Sequence, residues 1–167
     1  TTRSFLIHLR TPQLPPPEKN APGGTAVVLN ERELGSPTWD DRLSLEFAGP
    51  APRVRSVRIE PTDAPALFLL GDSTVTDQRV APSASWGQML PRFLRDTVVV
   101  ANHAESGETL KSFQTSLRLA KVLSLLRAGD WVVLQFGHND QIKQWPQTYA
   151  DSATTYPGYL RDFVAEA

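Results

Sequence analysis

Three short apolar runs, Ala66–Leu70, Thr97–Ala101 and Trp131–Phe136, start at intervals of about one βαβ unit and leave this chain few folds to choose from. Continuous apolar runs of this length suit strands buried on both faces, the condition of strands in a parallel sheet. The stretches between them carry helical spacing. Phe113, Leu117, Ala120 and Leu123 or Leu125 fall on one helix face, which Gly129 would end, with Asp130 leading into the next strand. Trp86, Met89, Leu90, Phe93 and Leu94 predict an earlier helix that Pro91 interrupts. Tyr156, Tyr159, Leu160, Phe163 and Val164 predict a later one, with Pro157 acceptable in its first turn. From residue 66 onward the chain reads as α/β with a parallel sheet.

The first 65 residues have another character. Ten of the 14 prolines lie there, including Pro15-Pro16-Pro17, and an interior proline costs a helix about 3 kcal/mol. Leu43, Leu45 and Phe47 alternate with polar residues, as do Val57 and Ile59, which predicts half-buried strands. Phe5–Leu9 and Ala26–Leu29 are two further strand candidates, separated by the proline-rich loop and Pro22-Gly23-Gly24. This stretch is expected to be part of a β-sandwich, and its opening in what reads as mid-strand suggests a sequence cut at that end. Thr1 in place of an initiator Met fits a processed or cut chain.

Composition removes several functions. With 17 Lys+Arg against 18 Asp+Glu and no basic run, a nucleic-acid partner is not expected. The apolar runs fall far short of the roughly 18 residues a membrane span requires. With no cysteine there is no disulfide, thiolate nucleophile or zinc–cysteine site.

Ligands of open parallel sheets bind at the carboxyl ends of the strands. Here those ends read Gly71-Asp72-Ser73-Thr74, Asn102-His103-Ala104-Glu105-Ser106-Gly107 and Gly137-His138-Asn139-Asp140. A serine on a tight turn just past a buried strand can present its hydroxyl for nucleophilic attack. The backbone N–H groups of Ser73 and Gly107, with the Asn139 side chain, could stabilise an oxyanion. Taken singly, Gly-Asp-Ser is a common turn, Gly107 a loop glycine and Asn139 a turn residue; three such motifs at three successive strand ends carry more weight than any one. Of the three histidines, His8 is expected at the surface, His103 in packing, and His138 as a structural loop residue.

These motifs resemble the first three blocks of the GDSL/SGNH serine hydrolases. Leu69–Gln78, Ser85–Leu90 and Gln135–Gln141 are similar to the rhamnogalacturonan acetylesterase branch of that family. The resemblance covers residues 66–167. It implies the first half of a flavodoxin-like αβα hydrolase domain, and a more distant likeness makes residues 1–63 part of a galactose-binding-like β-sandwich. It implies Ser73 as nucleophile, Gly107 and Asn139 as oxyanion partners, and Asp72 as a support of the nucleophile turn. No metal or organic cofactor is implied. The implied substrate is an acetylated pectic polysaccharide or oligosaccharide, and the implied location is secreted or periplasmic in a bacterium. Oligomeric state is not readable.

Two departures stand out. Glu108 occupies a position where relatives carry a basic residue. The family's Asp-x-x-His block, source of its catalytic Asp and His, occurs nowhere in these residues. The strand at 131–136, central in the family, would then have no partner beyond Val132, Val133 and Leu134, and an open apolar edge is an aggregation liability. The chain is therefore expected to be a fragment of a longer esterase, with little activity alone. Two alternatives stay open: a lipase or thioesterase with the same chemistry, or a carbohydrate-binding module joined to an inactive hydrolase remnant.

Overall fold

The computed structural model describes residues 2–16 and 24–167. Three strands, β1 (Ala66–Gly71), β2 (Val99–Asn102) and β3 (Trp131–Gln135), form one sheet in the order β2-β1-β3. Both pairings are parallel, with Ala66 opposite Val99 and Leu67 opposite Trp131. The three strands expected after residue 65 are found to within one or two residues. The helices are α1 (Trp86–Met89), α2 (Leu110–Thr115), α3 (Arg118–Leu123) and α4 (Thr155–Glu166).

Alternation along β1 sends its side chains into two cores. Ala66, Phe68 and Leu70 join Val99, Ala101, Leu110, Phe113, Leu119, Val122 and Phe163 under α2, α3 and α4. Leu69 joins Val75 and Ala104, with Leu67, Leu90 and Val100 at the margin, on the face beneath α1. Helices thus pack on both faces of a small parallel sheet, the α/β arrangement expected. β3 has no partner on its outer side among the described residues, and Trp131 there is 70% exposed. No described helix is long and apolar enough to cross a membrane.

The single helix expected from Phe113, Leu117, Ala120 and Leu123 or Leu125 is broken in two. Ser116 returns both its N–H and its hydroxyl to the Ser112 carbonyl, at 2.8 and 2.7 Å. Such back-bonding bends helices. Leu117 then takes a left-handed conformation with φ of 64°. The break resets the helical phase: Arg118, Leu119 and Val122 turn inward, and Ala120, expected inside, is exposed. The freed Ser116 carbonyl accepts the Val28 N–H at 2.9 Å. Pro91 acts as foreseen, because α1 ends at Met89 and Leu90–Arg92 continues as a 3-10 turn. Pro157 sits in the first turn of α4.

The first stretch departs most from expectation. Its described residues form no strand; one antiparallel bridge joins Gln13 to Ala26, and a 3-10 turn spans Glu31–Glu33. The strands expected at Phe5–Leu9, Ala26–Leu29, Leu43–Phe47 and Val57–Ile59 are absent, and Phe47 and Ile59 are exposed. Period-2 alternation marks a face, but a strand also needs a neighbour for its N–H and C=O groups. None is present among these residues, so the β-sandwich is not seen. Pro17 and Pro22-Gly23 lie outside the described residues.

Phe163 is enclosed between Phe113 and Phe136, with ring centroids at 6.2 and 5.9 Å. Phe163→Ala should therefore destabilise the chain by about 3–5 kcal/mol, read as a lower midpoint in urea unfolding followed by circular dichroism.

Candidate active site

The turn after β1 is fixed before any side chain acts. A Cβ on Gly71 would lie 2.7 Å from the Gln135 carbonyl and 2.6 Å from Val75 Cγ2, so only glycine fits. Asp72 then folds the chain over. Its Oδ1 accepts the Thr74 N–H at 2.9 Å and the Thr74 hydroxyl at 2.8 Å, and its carbonyl accepts the N–H groups of Val75 and Thr76, both at 3.0 Å. Ser73 is left at the tip, partly exposed, with no hydrogen bond from its hydroxyl to any described residue. Gln78 Nε2 holds the Ser73 carbonyl at 2.6 Å. The support expected of Asp72 is visible in these contacts.

The loop after β2 is tied to that turn. Asn102 Nδ2 donates to the Val75 carbonyl and to Asp77, at 2.8 and 2.9 Å. Thr76 Oγ1 donates to the Ala104 carbonyl at 2.9 Å, and the Glu105 N–H reaches the Gly71 carbonyl at 3.1 Å. Residues 105–108 form a β-turn closed by the Glu108 N–H on the Glu105 carbonyl at 3.2 Å, with Gly107 at a φ of 83°. A positive φ at the third position of a turn selects glycine.

The loop after β3 docks on the start of α2. Asp140 accepts the N–H groups of Leu110 and Gly137, both at 2.9 Å. Burial pushes its carboxyl above the usual range, and these two hydrogen bonds only partly oppose that. Asn139 is buried and donates from Nδ2 to the Glu108 carbonyl at 3.0 Å. One of its two amide hydrogens is thereby used, and the other is available. The structure thus brings Ser73, Gly107 and Asn139 to the carboxyl ends of three adjacent strands. His138, beside them, is exposed, as expected of a loop residue.

The other expectations divide. His103 is a packing residue, wholly buried against Phe68 and Trp39 with ring centroids at 5.7 and 5.9 Å. His8 is half-buried rather than fully at the surface, its Nε2 3.1 Å from His103 Nε2. Burial, then the charges of Arg10 and Lys121, pushes its imidazole down to about 4. Glu108 faces inward, with Oε1 3.2 Å from Arg118 Nε and Oε2 accepting the Ser112 hydroxyl at 2.5 Å. A cavity of about 330 Å³ lies beside β2, lined in part by Arg10, Thr38, Arg42, Asp77 and Asn102, apart from the three strand-end residues. Among the described residues no group of three or more His, Asp or Glu could hold a metal ion.

The sequence reading missed the ties from the first stretch. Arg32 Nε donates to Glu105 at 2.7 Å, and the same guanidinium bonds the Ser106 carbonyl. Burial raises the Glu105 carboxyl, with Arg32 only partly opposing it. Glu33 pairs with the wholly buried Arg118. These contacts span 73 or more residues of chain and leave no local pattern to read.

Residues 67–167 match the family pattern of the GDSL-like lipases/acylhydrolases. The chain belongs to that family. It is 37% identical over 102 residues to the probable rhamnogalacturonan acetylesterase YesY of Bacillus subtilis, covering 60% of this chain and 47% of that protein. It is 40% identical over 103 residues to the rhamnogalacturonan acetylesterase RhgT of the same organism, covering 60% of this chain and 43% of RhgT. The chain therefore spans less than half the length of these relatives. Its fold is similar to the crystal structure of YxiM from Bacillus subtilis, with a TM-score of 0.55 and 28% identity over 64% of this chain and 30% of that one. The GDSL-like match contains all three strand ends, and Arg32 and Glu33 lie before it.

Half-buried His8, packed on buried His103, gives a pH dependence. An unfolded histidine titrates near 6.5, whereas His8 in the fold titrates near 4, so the unfolded chain binds the extra proton first. This contribution to stability is complete above pH 6.5 and disappears as the pH falls toward 4. It amounts to about 3 kcal/mol. Urea titrations of His8→Gln at several pH values should show a shallower acid loss than the parent chain.

Proposed function

We propose that this chain carries the nucleophile half of a serine esterase that removes acetyl groups from a pectic polysaccharide of the rhamnogalacturonan type. The observation that carries the reading is the convergence of a serine at a turn fixed by Asp72, a glycine in a positive-φ turn and a buried asparagine at neighbouring strand ends. The names of the relatives support the substrate. In this reading the Ser73 hydroxyl attacks the acetyl carbonyl. The oxyanion is stabilised by the backbone N–H groups of Ser73 and Gly107 and by the free amide hydrogen of Asn139. Collapse expels the sugar hydroxyl and leaves acetyl-Ser73, which water hydrolyses to acetate. A neutral serine is a weak nucleophile and needs a base. His103 is enclosed and His138 is a loop residue, so we assign the base and its aspartate to residues outside these 167. The division of labour that follows is a hydrolase portion at 66–167 and a preceding segment at 1–63.

The decisive experiment compares Ser73→Ala with the parent in the full-length gene product, using acetylated rhamnogalacturonan and measuring released acetate. Loss of about four orders of magnitude or more in kcat is expected, with unchanged circular dichroism. Undiminished acetate release would refute Ser73 as nucleophile. Preference for long-chain esters would indicate a lipase, and sugar binding with no release by the parent protein would indicate a binding module.

A further inference from the structure

The Gly107 turn has a feature that this reading of the reaction leaves unexplained. Its central peptide joins the Ser106 carbonyl to the Gly107 N–H. In a turn with glycine at positive φ this peptide has one orientation, and in the common type I turn it is turned over. Within a trans peptide the C=O and N–H point in opposite directions, so whatever holds the carbonyl also aims the N–H. The group that holds it is Arg32. One guanidinium nitrogen bonds the Ser106 carbonyl, while Nε grips Glu105 at 2.7 Å. The same nitrogen lies 3.7 Å from the position a Cβ on Gly107 would occupy. Arg32 is itself held, because it sits inside the 3-10 turn whose Glu33 accepts the Asn30 N–H at 2.8 Å and pairs with buried Arg118.

We propose that Arg32, from the segment preceding the hydrolase portion, is a positioning residue that locks the Ser106–Gly107 peptide so that the Gly107 N–H faces the oxyanion. The inference rests on the reading of Gly107 as an oxyanion donor. Its guanidinium also draws electron density through the peptide it bonds and makes the N–H a stronger donor. The side chain is half exposed, so the pair contributes little to global stability and its removal should leave the fold intact.

The test uses Arg32→Ala and Arg32→Lys in the full-length gene product, with two readouts. The first is the nuclear Overhauser cross-peak from Ser106 Hα to the Gly107 N–H, strong for the observed turn and weak once the peptide turns over. It should be strong in the parent, weak in Arg32→Ala and partly recovered in Arg32→Lys. The second is acetate release, where Arg32→Ala should lower kcat about 10- to 100-fold with KM nearly unchanged, and Lys should restore part of it. A cross-peak unaffected by Arg32→Ala overturns the proposal, as does an unchanged kcat in spite of its loss. If the parent enzyme releases no acetate, the failure belongs to the functional reading, and the cross-peak alone decides the role of Arg32.

Discussion

A guanidinium with no access to water must find its charge partners inside the protein, and in this chain that demand falls on Arg118. It is wholly buried, with Glu33 gripping it in two places and Glu108 lying 3.2 Å from its Nε. Removing one member of such a cluster costs about 3–5 kcal/mol, since it leaves an uncompensated charge in a dry place. Burial pushes the Glu33 carboxyl up, but the hydrogen bonds and charge of Arg118, with the Asn30 N–H and the Trp39 indole, bring it below the usual carboxylate range. The two carboxylates come from distant parts of the sequence, one from the segment before the sheet and one from the loop after β2. Satisfying Arg118 therefore joins them.

That junction explains features that are otherwise unconnected. The Glu108 carboxylate faces Arg118 while the carbonyl of the same residue accepts from Asn139. Because Glu33 is anchored, its neighbour Arg32 reaches the Glu105–Glu108 turn. Asp140 completes the assembly from the opposite side, tying the loop after β3 to the first N–H of α2. Each strand-end loop is held by bonds to another loop, so the geometry near Ser73 belongs to the whole set.

How much of this the sequence disclosed follows from the range of the forces involved. Strands buried on both faces write themselves as apolar runs, so β1, β2 and β3 were legible, and with them the three loops at their ends. Helix α4 was legible through the spacing of Tyr156, Tyr159 and Phe163. The α2–α3 region was misread because its apolar pattern is the sum of two phases, and a conformation adopted by Leu117 leaves no trace in composition. The first stretch was misread for the opposite reason: Leu45 and Val57 have the right alternation, but pairing depends on a partner that alternation does not supply. His8 and Arg32 were missed because their partners lie tens of residues away.

The left-handed residue at Leu117 acts as a phase shifter in a periodic object. Rotation about one residue decides which set of side chains the following turn presents to the core, and here it delivers Arg118 to the interior. In a helix running straight through this point the same arginine would be carried round toward solvent, where it would have no need of Glu33. The coupling between the leading segment and the sheet-bearing part is thus encoded less in the composition of either than in a single torsion at the α2–α3 junction. Straightening this helix would release the segment that precedes the sheet from its tie to Arg118.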